Sequence, residues 1–278
     1  MTDALEPLFL VGPGYSATAL ADLWSGPIYG TVRSEQSLKK LAETAIQPVW
    51  IDDPEPLKGA VERAHLIISA PPDDEGCPAL RVLDPFVSAA ASVTYLSTTG
   101  VYGDLNGGWA MDWTPVNPQS ERAERRVTAE RLWLDRYPRL KIARLPGIYG
   151  PGRSAFERLA SGNARRIVKP GQVFSRCHVE DIARGLLSLI QANAEGAFNV
   201  CDEDAAPPQD VITYAAELMA IDPPPEIDFE AADLSAMARS FYNECKRVSN
   251  AKLKAATGWR PLYPTYREGL ESIYETLD

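Results

Sequence analysis

The sequence predicts an α/β fold, a doubly wound parallel sheet with a smaller C-terminal lobe. Three observations predict it. A short apolar strand near the N-terminus runs into a glycine turn and a helix start. Strand and helix patterns then alternate four times before residue 100. The second half is mostly helical and punctuated by Pro207-Pro208 and Pro223-Pro224-Pro225.

The first strand is Phe9-Leu10-Val11, and Gly12-Pro13-Gly14-Tyr15-Ser16-Ala17 follows it. Gly12 turns the backbone sharply. Gly14 has no Cβ, so a pyrophosphate can approach the main chain. Ala17 is small enough for the helix to lie close on the sheet. The N–H groups of that helix, with Tyr15 and Ser16 in its first turn, then face the phosphates. This spacing is the G-x-G-x-x-A form of the dinucleotide fingerprint.

The second strand, Ile28 to Arg33, ends where an adenosine ribose would lie. An acid there selects NAD, and an arginine accepts the 2′-phosphate of NADP. Arg33 stands 21 residues after Gly12, with Thr31 and Ser34 as hydroxyl donors, so the pattern favours NADP over NAD. A helix is expected over Gln36 to Thr44 and a strand over Pro48 to Ile51. Asp53 then either meets the adenine amino group or belongs to an exposed turn or helix cap. The strand His65 to Ile68 runs through Ser69 and Ala70 into Pro71-Pro72, which cannot continue a ladder and shape a loop against the dinucleotide. A helix over Ala79 to Ala91 leads to the strand Val93 to Ser97.

That strand closes in Ser97-Thr98-Thr99-Gly100-Val101-Tyr102-Gly103, three hydroxyls at a strand's carboxyl end. Further on come Arg144-Leu145-Pro146-Gly147-Ile148-Tyr149-Gly150, Arg176-Cys177-His178-Val179-Glu180-Asp181 and Gly258-Trp259-Arg260-Pro261. With these segments the chain resembles an extended short-chain dehydrogenase/reductase of the epimerase/dehydratase group, along nearly its whole length and in its atypical branch. The resemblance implies a Rossmann fold, with an NADP-binding domain over 1–150 completed by about 172–202. The substrate-binding cap lobe would occupy most of 151–278. It implies that Thr98 is the catalytic hydroxyl and that Pro146 and Ile148 lie beside the nicotinamide. It also implies a Tyr-x-x-x-Lys pair, for which this chain has Arg122 and Arg126, eight and four residues before Glu130. A guanidinium stays protonated, so Arg122 cannot replace the tyrosine as a base. Arg126 could still hold a ribose. Tyr102, Tyr149, His178, Asp112 and Cys177 are candidates for a replacement acid/base, although Tyr102 and Tyr149 read more readily as residues packing against the cofactor or loop. Relatives pair through a helix like the one carrying Arg122, so a homodimer is an expectation.

The segment from Arg153 to Lys169 gathers Arg153, Arg158, Arg165, Arg166 and Lys169, which read either as a solvated face or as recognition of an anionic substrate. Arg176 and His178 are substrate candidates, because the resemblance implies contact of that arginine with a substrate diphosphate. Asp181 reads as structural. Two functions follow: an NADP-dependent oxidoreductase or epimerase on a small sugar-like or anionic substrate, or a non-catalytic NADP-binding sensor or scaffold.

Composition narrows the partners. The 278 residues are 45% hydrophobic and carry a net charge of -10, which repels nucleic acid and anionic membranes. The acidic stretch Met1 to Glu6 does not read as a signal peptide. Cys77, Cys177, Cys201 and Cys245 are widely spaced and form no metal pattern; they fit reduced buried thiols of a cytoplasmic protein. No metal site is expected.

Overall fold

The computed structural model describes residues 6–277, so the expectation for Met1 to Leu5 lies outside the described residues. The chain runs β1 (Leu8–Val11), α1 (Tyr15–Ala21), β2 (Ile28–Val32), α2 (Glu35–Leu41), β3 (Gln47–Trp50), α3 (Pro54–Val61), β4 (His65–Ile68), α4 (Pro78–Leu83) and β5 (Ser92–Thr98). It continues through β6 (Trp109–Ala110), α5 (Glu121–Arg136), β7 (Lys141–Leu145), β8 (Gly147–Tyr149), α6 (Ala155–Ala160), β9 (Arg166–Val168), β10 (Arg176–His178), α7 (Val179–Gln191) and β11 (Gly196–Asn199). The last elements are α8 (Pro208–Leu218), β12 (Glu226–Asp228), α9 (Ala236–Phe241), β13 (Arg247–Val248), α10 (Ala251–Thr257) and α11 (Tyr266–Tyr274).

Seven strands form one sheet in the order β11-β7-β5-β4-β1-β2-β3. Every pairing in it is parallel. Parallel strands need crossover helices, and these cover both faces. The side chains of β1 show the division. Leu8 and Leu10 join the cluster under α1 and α7, with Ala17, Leu186 and Trp259. Phe9 and Val11 join the opposite cluster under α3, α4 and α5, with Leu57, Leu83 and Trp133. β11 lies beyond residue 150 and still forms the edge of this sheet beside β7. A third cluster, with Tyr149, Phe156, Ile212, Tyr266 and Leu270, is built by β8, α6, α8 and α11.

Several elements differ from the sequence expectation. The helix expected over 79–91 stops at Leu83, because Pro85 cannot continue it, and only one short turn (Val87–Ala89) follows. The segment after Asp53 is the helix α3, with Pro54 in its first turn, where a missing N–H costs nothing. Late in the chain only a short helix, Ala236–Phe241, forms between 231 and 242, begun by a Ser235 cap. Cys77, Cys177 and Cys201 are buried free thiols, whereas Cys245 is half-buried.

Candidate active site

The glycine loop lies at the carboxyl end of β1. Gly12 has a φ of +78°, and a Cβ there would stand 3.0 Å from the Ala70 nitrogen. Only glycine combines that turn with that approach. Ala70 is pinned beside it, since its N–H and that of Ser69 both donate to the Val11 carbonyl (3.0 and 2.9 Å). Gly14 is exposed at the N-cap of α1, and no side chain caps that helix. Its first-turn N–H groups therefore face the crevice without a side-chain acceptor, as a pyrophosphate site requires. Ser16 and Ala17 are buried under the loop. The Tyr15 hydroxyl donates to the Pro151 carbonyl (2.9 Å), and the Arg153 guanidinium lies 5.7 Å from the Tyr15 ring centre. Arg153 thus stands beside the glycine loop.

At the next strand ends the expected residues divide. Thr31 braces the loop: its buried Oγ1 accepts the Gly12 N–H (2.8 Å). Ser34 caps α2, its Oγ accepting the Ser37 N–H (3.2 Å). Arg33 is exposed and pairs with no carboxylate among the described residues. Asp53 takes the N-cap position of α3, exposed, with no capping hydrogen bond from its side chain.

The ends of β4 and β5 face the first turns of α5. Pro71 and Pro72 line a cleft of about 230 Å³ with Arg122, Arg125 and Arg126. The Arg126 Nη1 donates to the Leu96 carbonyl (2.7 Å) and the Tyr95 hydroxyl (3.2 Å). Thr98 is half-buried, and its Oγ1 accepts the Gly100 N–H (3.2 Å). Its hydroxyl proton remains available to a substrate oxygen.

Two expected residues are instead structural. Ser97 is buried and donates to Glu130 Oε1 (2.5 Å), so it does not face a cofactor. Tyr102 is wholly buried; it donates to Asn199 Oδ1 (2.7 Å) and accepts from Arg144 Nη1 (3.1 Å), with burial pushing its hydroxyl above the usual phenol range. It cannot act as the missing acid/base. Both belong to a network that residue-by-residue reading missed. Arg144 and Glu130 form a buried ion pair at 2.7 Å, and Asp112 Oδ1 accepts the Asn199 N–H (2.5 Å). Asp112 is accordingly spent on backbone, not offered to the crevice. Burial raises the Asp112 carboxyl.

The substrate candidates on β10 are both engaged by the fold. The Arg176 Nη1 donates to the carbonyls of Phe174 (2.7 Å) and Ala206 (3.0 Å), and burial lowers its pKa. It holds the Phe174 and Ala206 backbones together. His178 is buried at the N-cap of α7, where its Nδ1 accepts the Glu180 N–H (3.3 Å). The rings of Tyr149 and Tyr263 flank it at 5.3 and 4.4 Å, and burial pulls its pKa down to about 4. A neutral imidazole enclosed this way does not read a substrate anion. Cys177 is fully buried, and Tyr149 is buried with its hydroxyl aimed at the Thr265 carbonyl. Asp181 is structural as expected, accepting the N–H groups of Leu262 (2.5 Å) and Tyr263 (3.0 Å). Pro146 and Ile148 are half-buried at the β7–β8 junction, and Ile148 packs on the α1–α7 cluster. Among the described residues no group of three or more His, Cys, Asp or Glu is placed to hold a metal, and no helix is long and apolar enough to cross a membrane.

Comparison with known proteins bears on the family. No family model matches the chain. UDP-glucuronic acid decarboxylase 3 of Arabidopsis thaliana is 27% identical over 222 residues, covering 70% of this chain and 60% of that protein. The chain spans 45% to 60% of the length of the first curated relatives that it matches. A functionally unknown conserved protein from Silicibacter pomeroyi has a solved structure with 43% identity and a TM-score of 0.90, covering 97% of this chain and 98% of that one. A dTDP-glucose 4,6-dehydratase from Bacillus anthracis, solved with NAD, has the same fold at 15% identity and a TM-score of 0.76, over 97% and 96% of the two chains. A human epimerase family protein solved with NADPH has it at 14% identity and a TM-score of 0.77, over 98% and 100%. The chain shares the fold of these dehydratase and epimerase structures and is similar in sequence to UDP-glucuronic acid decarboxylases.

Proposed function

We propose that this protein is an NADP-dependent oxidoreductase or epimerase of the epimerase/dehydratase type, acting on a small sugar-like or anionic substrate. The observation that carries this reading is the glycine loop. Gly12 and Gly14 leave the uncapped start of α1 open, and an uncompensated Arg33 stands at the end of the neighbouring strand. These residues fit a dinucleotide. The loop and α1 would hold the pyrophosphate, and Arg33 would hold the 2′-phosphate. Bound there, a nicotinamide supplies hydride transfer. That two structural neighbours were solved with NAD and NADPH supports a nicotinamide cofactor without choosing between them.

The chain's own residues do the rest. Thr98 donates a hydrogen bond to a substrate oxygen and polarises it. Arg126, fixed on Leu96 and Tyr95, and Arg122 set positive charge beside it. No tyrosine stands in the family's position, so a proton reaches the substrate from solvent or from a group of the substrate itself. A curated relative is named for a UDP-sugar acid, which makes UDP-glucuronic acid the first probe. Incubation with that compound and NADP, followed by mass spectrometry, tests the reading. Conversion that falls at least tenfold in Thr98→Val supports it.

A second reading, a non-catalytic NADP(H)-binding protein, is favoured by the burial of Tyr102 and the enclosure of His178. Tight NADPH binding with no turnover on a panel of sugar nucleotides and small oxo acids supports that reading instead.

A further inference from the structure

The cleft between the Pro71–Pro72 loop and α5 concentrates positive charge in a chain of net charge -10. Its three guanidiniums differ in state. Arg125 is neutralised, with Nη2 2.5 Å from Asp74 and 3.7 Å from Glu121. Arg126 is fixed but not neutralised, because its two partners are a carbonyl and a phenol. Arg122 is exposed and pairs with no carboxylate among the described residues. Arg122 and Arg126 are four residues apart, on one stripe of α5, so the two cations repel each other. Arg122 also lies in the first turn, where the helix dipole disfavours positive charge. An anion between them relieves both penalties.

We propose that this cleft binds the carboxylate of the substrate, bridged by Arg122 and Arg126. The assignment rests on the reading of the chain as a dinucleotide-dependent enzyme. Guanidiniums grip a carboxylate or a phosphate by paired N–H bonds, so the cofactor's phosphates are the other source of such an anion. The layout favours the substrate. The open start of α1 and Arg33 stand at the ends of β1 and β2, while this cleft lies at the ends of β4 and β5. Thr98 ends the strand whose Leu96 carbonyl holds Arg126, and it follows that carbonyl by two residues. In this assignment one small molecule reaches from the arginines to Thr98, with a carboxylate on the former and an oxygen on the latter. That defines the substrate class as a hydroxy or oxo carboxylic acid, sugar acids included.

Calorimetric titration of malonate into the full chain tests this, with uncharged malonamide as the control. The expected result is malonate binding with a Kd of about 1 mM or tighter. It weakens at least tenfold in Arg122→Ala and in Arg126→Lys, recovers in part in Arg122→Lys, and has no malonamide counterpart. NADPH affinity stays within twofold in Arg122→Ala. Malonate that fails to bind, or that binds Arg122→Ala equally well, overturns the proposal. So does an Arg122→Ala protein that loses NADPH affinity and keeps malonate, since the cleft then serves the cofactor. Malonate held through Arg122 in a protein that binds no NADPH keeps the carboxylate site, but rejects the cofactor reading and with it the site's assignment to a substrate.

Discussion

Arg144 and Glu130 show how much a single residue can depend on one partner. Their side chains are 8% and 6% exposed, and the pair also anchors Ser97 and Tyr102. Glu130→Gln leaves a guanidinium buried without its counter-charge. Urea unfolding is expected to show a loss of about 3–5 kcal/mol. His178 carries a pH signature. Its pKa is pulled down to about 4 in the fold, against an ordinary 6.5, so the unfolded chain binds the proton more readily. The stabilisation is complete above pH 6.5 and is lost as the pH falls through 6.5 towards 4. Asparagine can keep the N-cap and does not titrate. Wild type is therefore expected to lose about 2 kcal/mol relative to His178→Asn between pH 7 and pH 4.5, measured by urea unfolding at both. These are also the residues where the sequence misled. Ser97, Tyr102, Thr31 and Arg176 stand where site residues are expected, but each is claimed by a partner 19 to 97 residues away or by a carbonyl beside it. Spacing along the chain does not reveal such partners.

At the scale of elements, boundaries follow prolines and caps that local sequence displays. Pro85 ends the helix begun at Pro78, and Ser120 starts α5 by accepting the Ala123 N–H (3.3 Å). The helix expected over 79–91 ends early because Pro85 has no N–H to carry the ladder on. The turn after β5 is less forgiving. Gly103 has a φ of +66°, and a Cβ there would collide with the Asn117 carbonyl oxygen. Gly103→Ala strains the loop that holds Thr98 and packs on α5. It is expected to cost at least about 2 kcal/mol in chemical unfolding, with Gly152→Ala, equally left-handed at +71° but in open space, costing less.

Across the whole molecule, the alternation of apolar strands with helices and the glycine turn made the parallel sheet legible before any coordinates. The strand order was not legible, since nothing local places β11 beside β7. Nor was the state of each arginine on α5. Arg122 and Arg126 were visible as replacements, but that Arg125 is neutralised by Asp74 across a loop is a tertiary fact. Arg33, Arg122 and Arg126 pair with no carboxylate among the described residues, and they stand near the carboxyl ends of central strands, where α/β folds take ligands.

The measurement that tests this account most directly is a fluorescence titration of NADPH and of NADH against wild type and Arg33→Ala. The account predicts NADPH at least tenfold tighter than NADH in wild type, and a preference that closes in Arg33→Ala because NADPH weakens while NADH does not. Equal affinities in wild type would contradict the assignment of Arg33, and no binding of either would contradict the dinucleotide site itself.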